Sequence, residues 1–225
     1  MRLRIYQINN DRDPNGVKFQ GMDRLEKLQG STQIDSSAYD EVFNAEMEYS
    51  GLEQLYATFN TTGHPLHRGH SMSVSDVVVT DEGAFFCDSV GFAKVDFDES
   101  KTQKPDNLMK VVFVEPGKPA YEAEIRHELS AEQRAVGGLI EPVYQEDGIC
   151  IVCNEEAKLR GMPGNRRLDN GSIIAGSFFA VGDTGDDFRS LTDEETQRML
   201  EKFSQPHEIS QDEVEADSGF VFIPM

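Results

Sequence analysis

The spacing of apolar and polar positions divides the first half of the chain into short strands and helices. Residues 3–8 alternate apolar positions with polar or aromatic ones and predict a strand. Apolar residues at helical spacing then predict three helices, over about 22–28, over about 37–48 and from Ser50 with Glu53 as a capping box. Period-2 alternation returns over 77–97 and predicts a small antiparallel meander.

The second half of the chain follows a similar pattern of short elements. Asp147-Gly148 lies between two apolar runs and is the strongest hairpin signal in the chain. The predicted elements, in order, are strands over 109–114 and 120–126, a helix that begins with Ser130 and Gln133, hairpin arms over 142–146 and 149–153, a short helix over 155–159, a Gly- and Arg-rich loop, a strand over 173–181 and a helix capped by Thr192 and Glu195. We therefore expect an α+β protein of two small α+β domains, each a mostly antiparallel sheet packed with short helices.

Residues 98–107 lack the aliphatic and aromatic side chains of a core, so we expect a linker there. The predicted domains are residues 1–99 and 108–208, joined by a linker at 100–107. Residues 209–225 are predicted to form an acidic tail that ends in a short apolar segment. We expect the linker to be exposed and the halves to fold separately.

The net charge of −20 argues against direct binding to nucleic acid or to an anionic membrane, because both require a positive surface. Residues 183–217 alone carry twelve acidic and three basic side chains. No apolar run approaches the roughly 20 residues of a membrane span, and the charged N-terminus does not resemble a signal peptide. Three cysteines, an odd number, favour the reducing cytoplasm. We expect a cytoplasmic protein with a protein partner and without a cofactor.

The connection that leads into residues 77–80 holds three of the five histidines. His64, His67 and His70 have a spacing that could supply a zinc site, but no cysteine or Glu-x-x-His element accompanies them. The favoured interpretation is structural: His70, Ser73, Ser75 and Asp76 hydrogen-bond the local backbone. A Ser–His–Asp triad drawn from this stretch lacks the turn that presents a nucleophile.

One group of basic residues stands out against the acidic composition. Lys158, Arg160, Asn165, Arg166 and Arg167 surround glycines whose amides would be accessible, which is typical of an anion receptor. Glu155 and Glu156 lie close in sequence, and internal neutralisation by them is the preferred alternative.

Cys150 and Cys153 have the spacing of a redox pair, but they fall within one arm of the predicted hairpin. Alternation then sends them to opposite faces of the sheet, where buried core thiols are expected.

Several motifs resemble known families. Residues 1 to about 99 resemble the YodL-like domain family through Ile5–Ile8, Leu55–Asn60 and above all Gly69–Val78. Residues 108 to about 208 resemble a family of unknown function that often accompanies it, through Val136–Glu141, Asn154–Lys158, Pro163–Arg166 and Ile174–Gly176. The resemblance implies a protein of conjugative elements or phages of Gram-positive bacteria, and it implies no catalytic mechanism.

Three functions are compatible with these observations. The leading hypothesis is a non-catalytic interaction protein of a mobile element, acting on a host or element-encoded protein. The second is an acidic DNA-mimic anti-restriction protein, suggested by the net charge. The third is a hydrolase or nucleotide-binding enzyme that uses the 158–167 loop or the 64–70 histidines.

Overall fold

The computed structural model describes residues 1–61, 63–144 and 147–218. The chain divides into two compact units, Met1–Asp106 and Asn107–Met225. Each unit combines a mostly antiparallel sheet with short helices, which confirms the predicted α+β class.

The first unit is built on a five-stranded antiparallel sheet in the order β2-β1-β3-β4-β5. Its elements are β1 (Arg2–Ile8), α1 (Met22–Gln29), β2 (Tyr39–Glu46), α2 (Leu52–Thr61), β3 (Val77–Thr80), β4 (Gly83–Cys87) and β5 (Phe92–Val95). Leu3 and Ile5 of β1 pack in one buried cluster with Phe59 of α2. Tyr6 and Ile8 pack in a second cluster with Leu25 of α1. Alternation along β1 thus sends its apolar side chains to both faces of the sheet.

The prediction of a helix over 37–48 is wrong, because residues Tyr39–Glu46 form strand β2. Ile5 of β1 pairs with Phe43 and Tyr6 pairs with Glu41, so Val42 is an extra residue in a β-bulge. The bulge buries Val42 and Phe43 together and interrupts period-2 alternation. The resulting apolar spacing imitates that of a helix.

The second unit is built on a sheet with the path β7-β6-β12-β9-β8, to which β13 adds by pairing with β12. A separate hairpin joins β10 to β11. The elements are β6 (Leu108–Val114), β7 (Tyr121–Arg126), α3 (Leu129–Val136), β8 (Ile140–Tyr144), β9 (Ile149–Asn154), β10 (Gly164–Arg167), β11 (Ile173–Ala175), β12 (Phe178–Asp183), β13 (Phe188–Arg189), α4 (Asp193–Lys202) and α5 (Gln211–Asp217). Helix α3 lies against β7, β9 and β12, and α4 lies against β6 and β7.

The helix boundaries were predicted with mixed success. The capping box of Thr192 and Glu195 is confirmed at α4. The box predicted from Ser130 and Gln133 is wrong, since α3 begins after Glu128 without a side-chain cap. At α2, Ser50 bonds with Gln54 where Glu53 was expected.

Three local predictions in the second unit need revision. Residues 155–159 form turns where a short helix was expected. The predicted Gly- and Arg-rich loop contains strand β10, and the strand over 173–181 is interrupted at Gly176, whose φ is 72°. The hairpin at Asp147-Gly148 is confirmed, with positive φ at both residues, while residues 145 and 146 of its first arm lie outside the described residues.

The predicted linker and the predicted acidic tail both make contacts within the fold. Residues 98–104 are mostly exposed, yet the Gln103 amide donates to the Tyr39 carbonyl at 3.1 Å and the Gln103 carbonyl accepts from Glu41 at 2.7 Å. Part of the predicted acidic tail forms α5, and Val214 of α5 is buried. The apolar residues after 218 lie outside the described residues. Across the described ranges, no helix has the length and apolarity to cross a membrane.

Candidate functional site

The connection between α2 and β3 is fixed to the sheet by the side chain of Gln7 in β1. The Gln7 amide nitrogen donates to the carbonyl of His70 at 2.8 Å, and its amide oxygen accepts from the backbone amide of His70 at 3.0 Å. A Cβ atom at Gly69 would lie 2.0 Å from that oxygen. Glycine is therefore required before His70, because only its bare backbone can approach Gln7 this closely.

Asp76 supplies a buried carboxyl group at the end of this connection. Its Oδ2 accepts from the Gln7 side chain and from the Ser73 amide, both at 2.8 Å. Its Oδ1 is buried and has no hydrogen-bond partner. Burial raises the pKa of Asp76 to about 8, against the lowering effects of Ser73, Gln7 and Lys18. Burial thus favours the protonated form of this carboxyl group.

Ser75 joins the connection to the segment that precedes α1. Its φ is 80°, in the left-handed region, and the residue is 1% exposed. The Ser75 hydroxyl accepts from the Phe19 amide at 2.9 Å, and its carbonyl accepts from the Tyr39 hydroxyl at 2.9 Å. These two contacts hold a conformation that residues other than glycine seldom adopt.

Phe19, the residue held by Ser75, is also in the left-handed region, with a φ of 64°. It is nevertheless 53% exposed, so burial of its ring offsets little of the roughly 1–2 kcal/mol that this backbone conformation costs. The ring centroid lies 5.3 Å from that of His70 and 5.2 Å from Lys18 Nζ. We call Lys18, Phe19 and His70 the aromatic patch.

The predicted polar cluster and the aromatic patch share His70. His70 Nδ1 lies 2.7 Å from the carbonyl of Ser71, so Nδ1 carries a proton and donates to that carbonyl. Phe19 was missed in the sequence because it is a single apolar residue without periodic neighbours. Its only signal was an aromatic side chain just after a run of turn-forming residues.

The histidines of the connection contact separate aromatic residues. The His64 ring lies 4.8 Å from that of Phe43, and the His67 ring lies 5.0 Å from that of Phe59. The rings of Phe43 and Phe59 lie 5.0 Å apart, whereas His70 contacts Phe19. Among residues 1–61, 63–144 and 147–218, no group of three or more His, Cys, Asp or Glu side chains could hold a metal ion.

The predicted basic site of the second unit is divided between the core and the surface. Arg166 is fully buried and donates to the carbonyls of Lys118 at 2.7 Å and Phe203 at 2.9 Å. Asn165 is also fully buried, and its amide nitrogen donates to the carbonyls of Val114 and Gly176. The expectation that Asn165 and Arg166 face an anion is corrected, since both satisfy buried backbone groups.

The remaining basic side chains contact partners within the second unit. Lys158 pairs with Asp217 at 2.7 Å and Arg167 pairs with Glu213 at 2.9 Å, both on α5. Arg160 donates to the carbonyl of Gly137 at 2.8 Å. Glu155 and Glu156 were expected to neutralise the basic side chains. The ion pairs of Lys158 and Arg167 are instead made with the acidic residues of α5. The sequence did not predict these pairs, because Asp217 and Glu213 lie about fifty residues from Lys158 and Arg167 along the chain.

The three cysteines are buried and free. Burial raises the pKa of Cys150 to about 12 and that of Cys153 to about 11. Cys87, in the first unit, has its pKa raised to about 12 by burial and by Asp76. The thiols are thus protonated at neutral pH, as expected of core residues.

Comparison with known families covers both units. Residues 2–97 match the YodL-like domain, and residues 109–204 match the Domain of unknown function (DUF3846). The matches occur in the predicted order. No curated protein and no solved structure matches the chain.

Proposed function

From a chain composed of a YodL-like domain followed by a DUF3846 domain, we propose a non-catalytic interaction protein of a conjugative or phage-like mobile element. It acts on a host or element-encoded protein in the cytoplasm. The aromatic patch of the first unit is its point of contact.

The observation that carries this proposal is the strained and exposed conformation of Phe19. A left-handed aromatic residue persists only where the surrounding structure imposes it, and such positions concentrate at functional sites. Here Ser75, itself at a φ of 80°, imposes it through the bond to the Phe19 amide. The fold thus uses two unfavourable backbone positions to present one ring to solvent.

The chemistry of the aromatic patch suits a protein partner. Aromatic side chains, phenylalanine among them, are enriched at the cores of protein interfaces. Residues 1–30 carry six basic and four acidic side chains, in a chain whose net charge is −20. We therefore expect the partner to offer an apolar pocket with an acidic rim.

The net charge also favours a second candidate, the acidic DNA mimic. A mimic would bind proteins that otherwise bind DNA, and it would do so through carboxylates spread over its surface. This function does not depend on Phe19, so one set of variants separates the two candidates.

The test is affinity capture from a Gram-positive host lysate, with quantitative comparison of the wild type and Phe19→Asn. Asparagine tolerates the left-handed region and removes the ring. Leu129→Asn is the matched control, because Leu129 is 57% exposed and lies in the second unit.

We expect Phe19→Asn to lose a captured protein that Leu129→Asn retains, with no effect of added DNA. Loss of the captured protein on addition of DNA, and not on substitution of Phe19, would favour the mimic. Equal capture by all variants would reject the aromatic patch as the contact.

A further inference from the structure

The acidic helix α5 is held on the second unit by a few specific contacts. Val214 is its one buried residue, and it packs with Ala157, Ile173 and Ala175. The family match ends at residue 204, so α5 is an addition to the part of the domain that the family shares. A seven-residue helix is too short to be stable in isolation and depends on this packing.

The surface beneath α5 is shaped to receive a carboxylate. Asp217 Oδ2 accepts from Lys158 Nζ at 2.7 Å and from the backbone amide of Ile173 at 2.9 Å. Arg167 binds a second carboxylate, that of Glu213, one helical turn away at 2.9 Å. Three donors of the second unit therefore bind Glu213 and Asp217, two acidic residues at positions i and i+4 on one face of α5.

The apolar part of this surface is equally specific. A Cβ atom at Gly164 would lie 2.5 Å from Ile209 Cγ2 and 3.1 Å from Val214 Cγ2. Glycine at this position of β10 therefore leaves the space that these two side chains use. We call Lys158, Gly164, Arg167 and Ile173 the α5 seat.

The α5 seat continues into a groove of about 250 Å³. Lys158 and Ile173, which hold Asp217, also line this groove, together with Asn154, Ser172 and Ile174. Glu141 and Glu155 line the groove as well, so the donors that bind carboxylates are those of the α5 seat itself. The part of an occupant that entered the groove would need neutral or basic side chains there.

We propose that the α5 seat is a docking site for an acidic amphipathic helical segment of another protein, and that α5 occupies it in cis. The charge complementarity carries the choice of occupant: a cationic surface is kept in a protein of net charge −20, and it binds carboxylates. Release of α5 exchanges an internal segment for the external one. This site is separate from the aromatic patch and goes beyond the proposed function.

The probe is a fluorescent synthetic peptide with the sequence of residues 205–218, and binding is measured by anisotropy on the full chain. In the wild type the seat is filled, so the peptide competes with a tethered copy at high effective concentration. Val214→Asp removes the buried anchor and releases α5. We expect it to bind the peptide at least ten-fold more tightly than the wild type.

Two charge reversals provide the matched comparison in the Val214→Asp background. Lys158→Glu with Arg167→Glu should abolish binding. Arg198→Glu with Lys202→Glu reverses the same charge in the same unit, at cations that pair with Asp147 and Asp169, and should retain it. A scrambled peptide should not bind to any variant.

A melting curve establishes that each variant is folded. Glu213→Gln with Asp217→Asn, which weakens α5 without touching the core, replaces Val214→Asp if that variant unfolds.

A folded, released variant that fails to bind the peptide would overturn the proposal and make α5 a fixed part of the domain. Exchange of α5 between two copies, seen as a dimer in size-exclusion chromatography, would overturn the assignment to a different protein. Adding Phe19→Asn to the Val214→Asp variant should leave its affinity for the peptide unchanged, which would show that the α5 seat binds independently of the aromatic patch.

Discussion

The guanidinium group of Arg166 donates a hydrogen bond to the backbone carbonyl of Phe203 at 2.9 Å, although Arg166 is fully buried. Phe203 follows the last residue of α4, where carbonyls lack intrahelical donors and carry partial negative charge. A second bond, to the carbonyl of Lys118, reaches the turn before β7. One arginine thus ties strand β10 to two other parts of the second unit.

Removal of this arginine should destabilise the second unit strongly. Arg166→Ala strands several buried carbonyls, and we expect the free energy of unfolding to fall by about 3 kcal/mol or more. Arg167→Ala is the control, because its side chain is exposed and its ion pair is at the surface. Urea denaturation should show a large shift for the first variant and almost none for the second. Similar midpoints would contradict the assigned roles.

The contrast between Arg166 and Arg167 illustrates what the sequence could and could not predict. Composition and turn residues identified the basic group, but they could not tell the two arginines apart. Gly164 pairs with Ala175 and Arg166 pairs with Ile174, so Asn165 is the extra residue of an irregular register. Asn165 and Arg166 are both buried at this irregularity, and a pattern of polar residues gives no sign of such burial in the sequence.

An extra residue in a strand also explains the largest error in the predicted fold. At Val42 an extra residue in β2 produced helical spacing in a strand. Strands β1 and β7, whose apolar side chains recur at short intervals without an extra residue, were located correctly from the sequence. Among the site residues, local bonds such as that between Ser73 and Asp76 were predictable, whereas those to Gln7 and α5 depend on tertiary structure.

The buried carboxyl of Asp76 should make stability depend on pH. Its pKa is raised to about 8 in the folded state from about 3.9 in an unfolded chain, so between these values the folded state holds a proton that the unfolded state releases. The free energy of unfolding should therefore fall as pH rises through this window, by at most about 1.4 kcal/mol per pH unit.

Asp76→Asn isolates this contribution, because asparagine has the shape of the protonated acid and does not titrate. The difference in stability between the wild type and Asp76→Asn, measured by denaturation from pH 5 to pH 9, should decrease with rising pH and level off above about pH 8. A difference that does not change with pH would show that the carboxyl is already ionised.

Phe19 should contribute to binding and not to stability. Phe19→Asn relieves part of the strain at a φ of 64° and loses the half-exposed contact with His70. These effects oppose each other, so we expect the free energy of unfolding to change by less than about 0.5 kcal/mol. Thermal denaturation checks this. A marked loss of stability would mean that the ring has a structural role.

The thiols of Cys87, Cys150 and Cys153 should resist modification in the folded protein. All three are buried, and burial raises their pKa values well above neutrality. Iodoacetamide at pH 8 should label none of them until denaturant is added, as followed by mass spectrometry. Rapid labelling of Cys150 and Cys153 together would point instead to an accessible redox pair.

The segment that follows β5 should belong to the folding unit of the first domain. The family match ends at residue 97, but Glu99 accepts from the Tyr6 hydroxyl at 2.5 Å and pairs with Arg4 at 2.6 Å. Gln103 adds two backbone hydrogen bonds to β2. At about 0.5–1.5 kcal/mol for each of these four bonds, a fragment of residues 1–97 should be less stable than one of residues 1–106 by about 2–6 kcal/mol. Limited proteolysis of the full chain should correspondingly cut near residue 107 before it cuts within 98–104. Equal stability of the two fragments, or early cleavage after Lys101, would restore 98–107 as a free linker.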